Sequence, residues 1–162
     1  MEIIIRQYEE RDRAALIECM LKEQKYLVGL DTLKRFEVRD DGAERYVEWL
    51  LSEVAKNDGV VLMALDGEKV VGAGIGFINE QDEEGKLCVH PTKPAEIQDL
   101  YVDEAYRSQG IGAKLVKALE EYFKSKGRDE IWVGALTANS RSVDFYLKQG
   151  YTNQFIELVK KI

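Results

Sequence analysis

The chain has 162 residues, of which 45% are apolar and 33% charged, and its formal net charge is −7. That length and composition suit one folded domain (1–162) with a buried core and exclude a disordered chain. The acidic balance speaks against nucleic acid or an anionic membrane as partner, and charges break every apolar run well short of the ~18 residues of a membrane span.

The start, Met1-Glu2-Ile3-Ile4-Ile5-Arg6, lacks a basic leader and a long apolar core, so the expected location is cytoplasmic. Residues 2–7 read as a strand. Asp12 is placed to cap a helix carrying Ala14, Ile17, Met20 and Leu21 at helical spacing. Lys22 to Asp41 is poorly periodic and predicts a bend or a short helix. Ala43 to about Lys56 is a clear helix with Val47, Leu50, Leu51 and Val54 on one face, ended by Asn57-Asp58-Gly59.

Val60 to Leu65 is an apolar strand, and Asp66-Gly67 turns it into a return strand, Lys69 to Ile78. That strand carries Gly72, Gly74 and Gly76 at alternate positions, which strips one face of side chains. Two readings follow: close packing of the strand, or a floor kept low for a ligand. Asn79 to Gly85 reads as an acidic, turn-like loop. Glu96 to Val102 is a further strand. A helix is predicted from Gly110 to about Lys126, closed by Gly127; then come a strand from Ile131 to Leu136, a helix from Arg141 to Lys148 and a last strand from Tyr151 to Val159. The hairpin early in the chain and the strand-helix alternation late in it predict an α/β fold with a mixed central sheet, antiparallel in its N-terminal half and parallel in the middle, flanked by about four helices.

Cys19 and Cys88 make neither a disulfide framework nor a ligand spacing, and His90 is the sole histidine. No metal is expected, and no Ser-His-Asp triad. The informative stretch is Arg107-Ser108-Gln109-Gly110-Ile111-Gly112, where a strand and turn open a helix. The first turn of a helix leaves N–H groups without partners, and the helix dipole adds positive charge there. Such a mouth suits a pyrophosphate. The Gly-Lys-Ser/Thr ending of a P-loop and the third glycine of a dinucleotide fingerprint are both missing.

Arg107-x-x-Gly110-x-Gly112 after Leu100-x-Val102 resembles the acetyl-CoA motif of the GNAT superfamily of N-acetyltransferases. A second block, Asn139 to Tyr151 with Phe145-Tyr146, Lys148 and Gly150-Tyr151, resembles that family's C-terminal block; together they span residues 96 to 151, about a third of the chain. The resemblance implies a GNAT fold with two parallel strands splayed apart. It implies that the backbone of Arg107, Ser108, Gln109, Gly110, Ile111 and Gly112 holds the CoA pyrophosphate. It implies that Leu100, Tyr101 and Val102 pair with the pantetheine arm, that Asn139 reaches that arm, and that Tyr146 approaches the thioester sulfur. Dimers are common in the family.

The implied activity is transfer of acetyl from acetyl-CoA, with no metal, to a primary amine of a small molecule or protein in a ternary complex. Tyr146 is the candidate acid. The N–H of Leu100 or Tyr101 is the candidate oxyanion donor. Glu96 is the candidate base: with strict alternation Glu96, Gln98 and Leu100 share a face, Gln98 takes no proton, and Asp99, which points to the other side, is the weaker choice. Direct loss of the proton to water is the other route. Acceptor recognition is expected from residues 22–42, the loop 79–85 and the end of the last strand, where Asp31, Asp40, Asp82, Glu83 and Glu84 could attract a cation. The alternative reading is an acyl-CoA-binding or interaction module without catalysis, in which Tyr146 and Glu96 are dispensable.

Overall fold

The computed structural model describes residues 2–162. Five strands form among them: β1 (Ile3–Gln7), β2 (Val60–Asp66), β3 (Lys69–Ile78), β4 (Pro94–Val102) and β5 (Glu130–Val133). They lie in chain order in one sheet. β1 to β4 pair antiparallel, and β4 pairs parallel with β5. The mixed sheet expected from the hairpin and the late alternation is therefore present.

Helices α1 (Arg13–Leu30) and α2 (Gly42–Lys56) cover one face, with Leu16, Met20, Val47 and Leu50 against Met63, Ile75 and Tyr101. The short helix α3 (Glu83–Cys88) follows β3. Helix α4 (Ile111–Ser125) covers the other face with Leu115, Leu119 and Phe123 against Leu62, Ala64 and Ile97. Each such side chain contributes about 1.5–3 kcal/mol of burial. Helix α5 (Ser140–Lys148) comes last among the described residues. No helix among them is long and apolar enough to cross a membrane.

The glycine stripe of β3 resolves toward close packing. A Cβ at Gly76 would lie 2.5 Å from the carbonyl oxygen of Glu96 and 2.8 Å from the Phe123 ring. One at Gly72 would lie 2.7 Å from the carbonyl oxygen of Tyr101. Leu115, Leu119 and Phe123 of α4 fill the face that the glycines leave bare, so no ligand floor lies there.

Four expectations are corrected. Helix α1 does not stop near residue 22 but runs through Leu30; a polar Glu23 interrupts its apolar stripe and hid the continuation. Asp12 precedes α1, yet its carboxylate serves Arg6 at 2.6 and 2.8 Å and the Glu9 N–H at 2.8 Å instead of capping α1. The acidic loop contains α3, because the Asp82 carboxylate accepts the Gly85 N–H at 2.6 Å and starts a turn of helix. The strand from Tyr151 to Val159 is not formed. Phe155 stacks on Trp132 of β5 at 5.8 Å, but the segment gains no ladder. Side-chain patterning favours a strand; only a neighbouring edge that takes the backbone bonds makes one.

Candidate active site

The parallel ladder between β4 and β5 ends at Ile97 and Val133, while β4 runs on to Val102. Beyond that point the two strands part, and one edge of β4 is open. Which peptide groups face the opening follows from pairing. The Asp103 N–H donates to the Val71 carbonyl at 2.9 Å. Alternation along an antiparallel pair then turns Tyr101 and Asp99 toward β3 as well, and Leu100 and Val102 away from it. The Val102 carbonyl accepts Arg107 Nε at 3.0 Å, which agrees. Of the two sequence candidates for oxyanion donor, Leu100 presents its N–H to the opening and Tyr101 spends its own on the sheet.

A bulge alters the faces of β4. Asp99 pairs with Ile75 and Ile97 with Gly76, so Gln98 is an extra residue in the strand. The alternation slips by one there. Glu96 pairs with Phe77, two residues along from Ile75, so Glu96 and Asp99 lie on the same face, the one covered by α1 and α2. Leu100 packs on the α4 side. The expectation that Glu96 shares a face with Leu100 and opposes Asp99 is thus overturned by the bulge, which no residue pattern in Glu96–Leu100 announced.

A helix opens at the motif, and its two glycines serve different ends, while the Arg107 N–H is already given to the Glu104 carbonyl at 3.3 Å. Gly110 precedes α4 at φ +80, in the left-handed region where glycine is at ease, and nothing lies within 4 Å of its missing Cβ. Ser108 also has positive φ, +63. Gly112 serves packing instead, since a Cβ there would meet the Phe145 ring at 3.3 Å, and its absence lets α5 sit close. Arg107 ties the turn to β4 through Val102 and lies over the Tyr26 ring at 5.2 Å. Gln109 donates back to the Ala105 carbonyl at 3.2 Å. Ile111 is buried in the α4 core, so only its backbone is available at the mouth.

Asn139 is buried and caps α5, accepting the Ser142 N–H at 3.3 Å and donating to the Ser142 hydroxyl at 2.8 Å. Tyr26 donates to its Oδ1 at 3.5 Å. Tyr26 therefore touches both motif blocks, Arg107 in one and Asn139 in the other. Helix α5 then delivers Tyr146, buried with its ring edge-on to Phe145 at 5.1 Å and to Tyr151 at 5.4 Å. Burial first, then the charges of Glu23 and Asp99, push the Tyr146 hydroxyl well above the ordinary tyrosine range, so it keeps its proton near neutral pH.

Two carboxylates, those of Glu23 and Asp99, act on that hydroxyl by their charge. Tyr46 of α2 donates to Asp99 at 3.0 Å, and Gln98 Nε2 donates to the Tyr46 oxygen at 3.3 Å. Burial raises the Asp99 carboxyl, the Tyr46 bond partly offsets this, and the charge of Glu96 adds to it. Glu96 itself accepts the Asn79 side-chain amide. Glu23 of α1 is raised by burial and by Asp99. Sequence reasoning missed Glu23, Tyr26 and Tyr46, because they come from elements far from both motifs. The spacing of Glu23 and Tyr26, three apart on a helix, was the available signal. Of the acidic residues nominated for the acceptor, Asp31 accepts the N–H groups of Leu33, Arg35 and Phe36, and Asp82 caps α3.

A mixed sheet opened between two parallel strands, beside an amide-lined helix mouth, is the architecture of the GNAT acyltransferases. The family model described as acetyltransferase (GNAT) family matches residues 17–151, and the chain belongs to that family. It is 35% identical over 123 residues to an uncharacterized N-acetyltransferase of Archaeoglobus fulgidus, covering 75% of this chain and 76% of that one. It is 26% identical to the thialysine N-epsilon-acetyltransferase of Bos taurus, covering 91% and 83%. Among solved structures, AAC(6′)-Iy in complex with a CoA bisubstrate analog shares the fold, with a TM-score of 0.73, 15% identity and coverage of 100% and 99%.

Proposed function

We propose that the protein transfers an acetyl group from acetyl-CoA to a primary amine of a small molecule or protein, by direct attack in a ternary complex in the cytoplasm. The observation that carries this is the position of Tyr146. Its buried side chain belongs to the second motif block, and its hydroxyl feels the charge of Asp99, which belongs to β4, the strand that leads into the first block. The fit to CoA is supported by the open left-handed turn at Gly110 and by the unpaired β4 edge at Leu100.

In this reading the peptide N–H groups of residues 108–112 hold the pyrophosphate, while Arg107, whose own N–H is given to the Glu104 carbonyl at 3.3 Å, fixes the turn that presents them. Leu100 and Val102 pair with the pantetheine arm, as an added strand would. Asn139 places the arm indirectly, by fixing the start of α5. The Leu100 N–H meets the oxyanion as it forms; one such donor is worth about 100–1000-fold in rate. Tyr146 protonates the departing sulfur. Glu96, held by Asn79, is the candidate base that takes the proton the nitrogen loses as the amide bond forms, with Asp99 beside it on the same face.

The test is direct. Calorimetry should show CoA binding, and thiol release from acetyl-CoA should depend on an added amine across a panel of primary amines. Absence of CoA binding, or thiol release that ignores every amine, would overturn the reading.

A further inference from the structure

On the face of the sheet that α1 covers, a cavity of about 420 Å³ opens between α1, the start of β3 and the end of β4. It lies on the β3 side of β4, away from the edge that parts from β5, so it is separate from the cleft described above. Its size is in the range that holds a small organic molecule. Ala15, Cys19, Val70 and Val71 give it apolar lining. Tyr101 lines it from the sheet and is only 6% exposed. A phenol buried that deeply ordinarily finds a partner, because an unmade hydrogen bond is costly. The Tyr101 hydroxyl has none among the described residues: burial and the charges of Asp103, Lys22, Cys19 and Arg107 act on it, but no hydrogen bond does. Asp103, Lys22 and Cys19 all line the same cavity, so the hydroxyl faces into it.

Two ammonium groups border the same cavity. An ammonium has three N–H donors; Lys22 gives one to Glu18 at 2.9 Å and one to Asp103 at 3.1 Å, which leaves one free. Lys69 has no ion-pair partner among the described residues and rests over the Tyr106 ring at 4.9 Å. Donors from Tyr101, Lys22 and Lys69 are thus available to one guest, and a guest that uses them is an anion. Glu18 and Asp103 also line the cavity and limit that charge, since they repel a phosphate dianion more than a single negative charge. We infer that this cavity is a second ligand site, which takes a small organic monocarboxylate: its carboxylate meets Tyr101, Lys22 and Lys69, and its apolar end lies on Ala15, Val70 and Val71.

An alkylammonium is the competing guest, because two carboxylates are present. Both are already engaged: Glu18 accepts from Lys22, and Asp103 accepts from Lys22 and from the Ala105 N–H at 3.1 Å. Lys22 itself stays charged, since its bonds to Glu18 and Asp103 hold its ammonium above the ordinary lysine range. The groups without partners are therefore donors, and they select the anion. The site goes beyond the acetyl-transfer reading and does not need it, for it uses no group of the helix mouth and none beside Tyr146.

The experiment titrates phenylacetate into the full chain and follows the amide signals by NMR, with phenylacetamide as the uncharged counterpart and phenethylamine as the cationic one. Phenylacetate should shift the amides of Cys19, Val70, Val71 and Asp103, and the two counterparts should shift them far less. Lys69→Gln should bind phenylacetate about 10-fold more weakly and Tyr101→Phe about 5-fold more weakly, because each loses one donor to a charged acceptor. Lys69→Arg should keep most of the affinity. The Tyr101 hydroxyl serves no protein group, so Tyr101→Phe should melt like wild type. No shift of the cavity amides by phenylacetate, or shifts centred on Gly110 instead, would overturn the site. Equal binding by wild type, Lys69→Gln and Tyr101→Phe would overturn its donors, and larger shifts from phenethylamine than from phenylacetate would overturn the ligand class.

Discussion

Replacing Tyr146 by phenylalanine removes one oxygen and keeps the ring. The ring's edge contacts with Phe145 at 5.1 Å and Tyr151 at 5.4 Å survive the change. No side-chain hydrogen bond enters the balance of effects on this hydroxyl, so its loss orphans no protein group. Stability should therefore move by less than about 0.5 kcal/mol. The effect on chemistry is set by what the leaving sulfur needs. General acid catalysis is worth about 100- to 10,000-fold, and a thiolate of pKa near ~8.5 is a better leaving group than an alkoxide, so the low end applies. A loss of about 100-fold in kcat corresponds to roughly 2.7 kcal/mol of transition-state stabilisation. Thiol release at saturating amine measures kcat, calorimetry measures CoA affinity, and thermal unfolding measures stability. The expected pattern is a deep fall in kcat with the other two unchanged. Because burial and the nearby carboxylates hold the phenol above its ordinary range, the wild-type kcat should show no alkaline loss from this group below ~pH 10. A Tyr146→Phe protein that turns over at the wild-type rate would refute the assignment of the acid.

Gly76→Ala should lower stability by about 3 kcal/mol in chemical denaturation, because its Cβ meets the Glu96 carbonyl at 2.5 Å as well as the Phe123 ring; Gly67→Ala, with open space around it, should cost only its left-handed backbone strain of about 1–2 kcal/mol. Gly110→Ala carries the same strain at φ +80, yet it should also weaken CoA binding in calorimetry by distorting the helix mouth, where Gly67→Ala leaves CoA affinity untouched. Asp12→Asn breaks the pair with Arg6 and should cost about 2 kcal/mol near neutral pH. The Arg6 bond depresses the Asp12 carboxyl in the fold, so this stabilisation is present above the ordinary carboxylate range and is lost as pH falls through the depressed value; the gap between variant and wild type should close in acid. Glu23 has the opposite sign. Its raised carboxyl favours the fold only below the ordinary glutamate value near ~4.3, and that advantage is lost as pH rises. Glu23→Gln should therefore gain melting temperature over wild type at alkaline pH and gain least in acid.

Within the sequence, the elements that stand on local signals were legible. The Asp66-Gly67 turn, the apolar stripe of α4 and the glycine pair before it depend on residues a few positions apart, and their backbone consequences are local. The two motif blocks likewise single out Arg107, Gly110, Asn139 and Tyr146 by spacing alone. The strand expected at Tyr151–Val159 failed because its alternation describes side chains, whereas a ladder needs a second backbone.

The composition of the carboxylate cluster could not be read in the same way. Glu23 sits in a stretch whose apolar spacing is broken by Glu23 itself, so the pattern ends α1 where the site begins. The bulge at Gln98 came from the fit of β4 to β3, and it moved Asp99 from the far face to the side of Glu96. What the amino-acid order determined alone was which segments fold locally and where bare amides and a tyrosine occur in the chain. What only the tertiary structure decided was which acids meet. Coulomb energy and desolvation depend on distance through space and on exclusion of water, and neither is a property of neighbouring residues in a sequence.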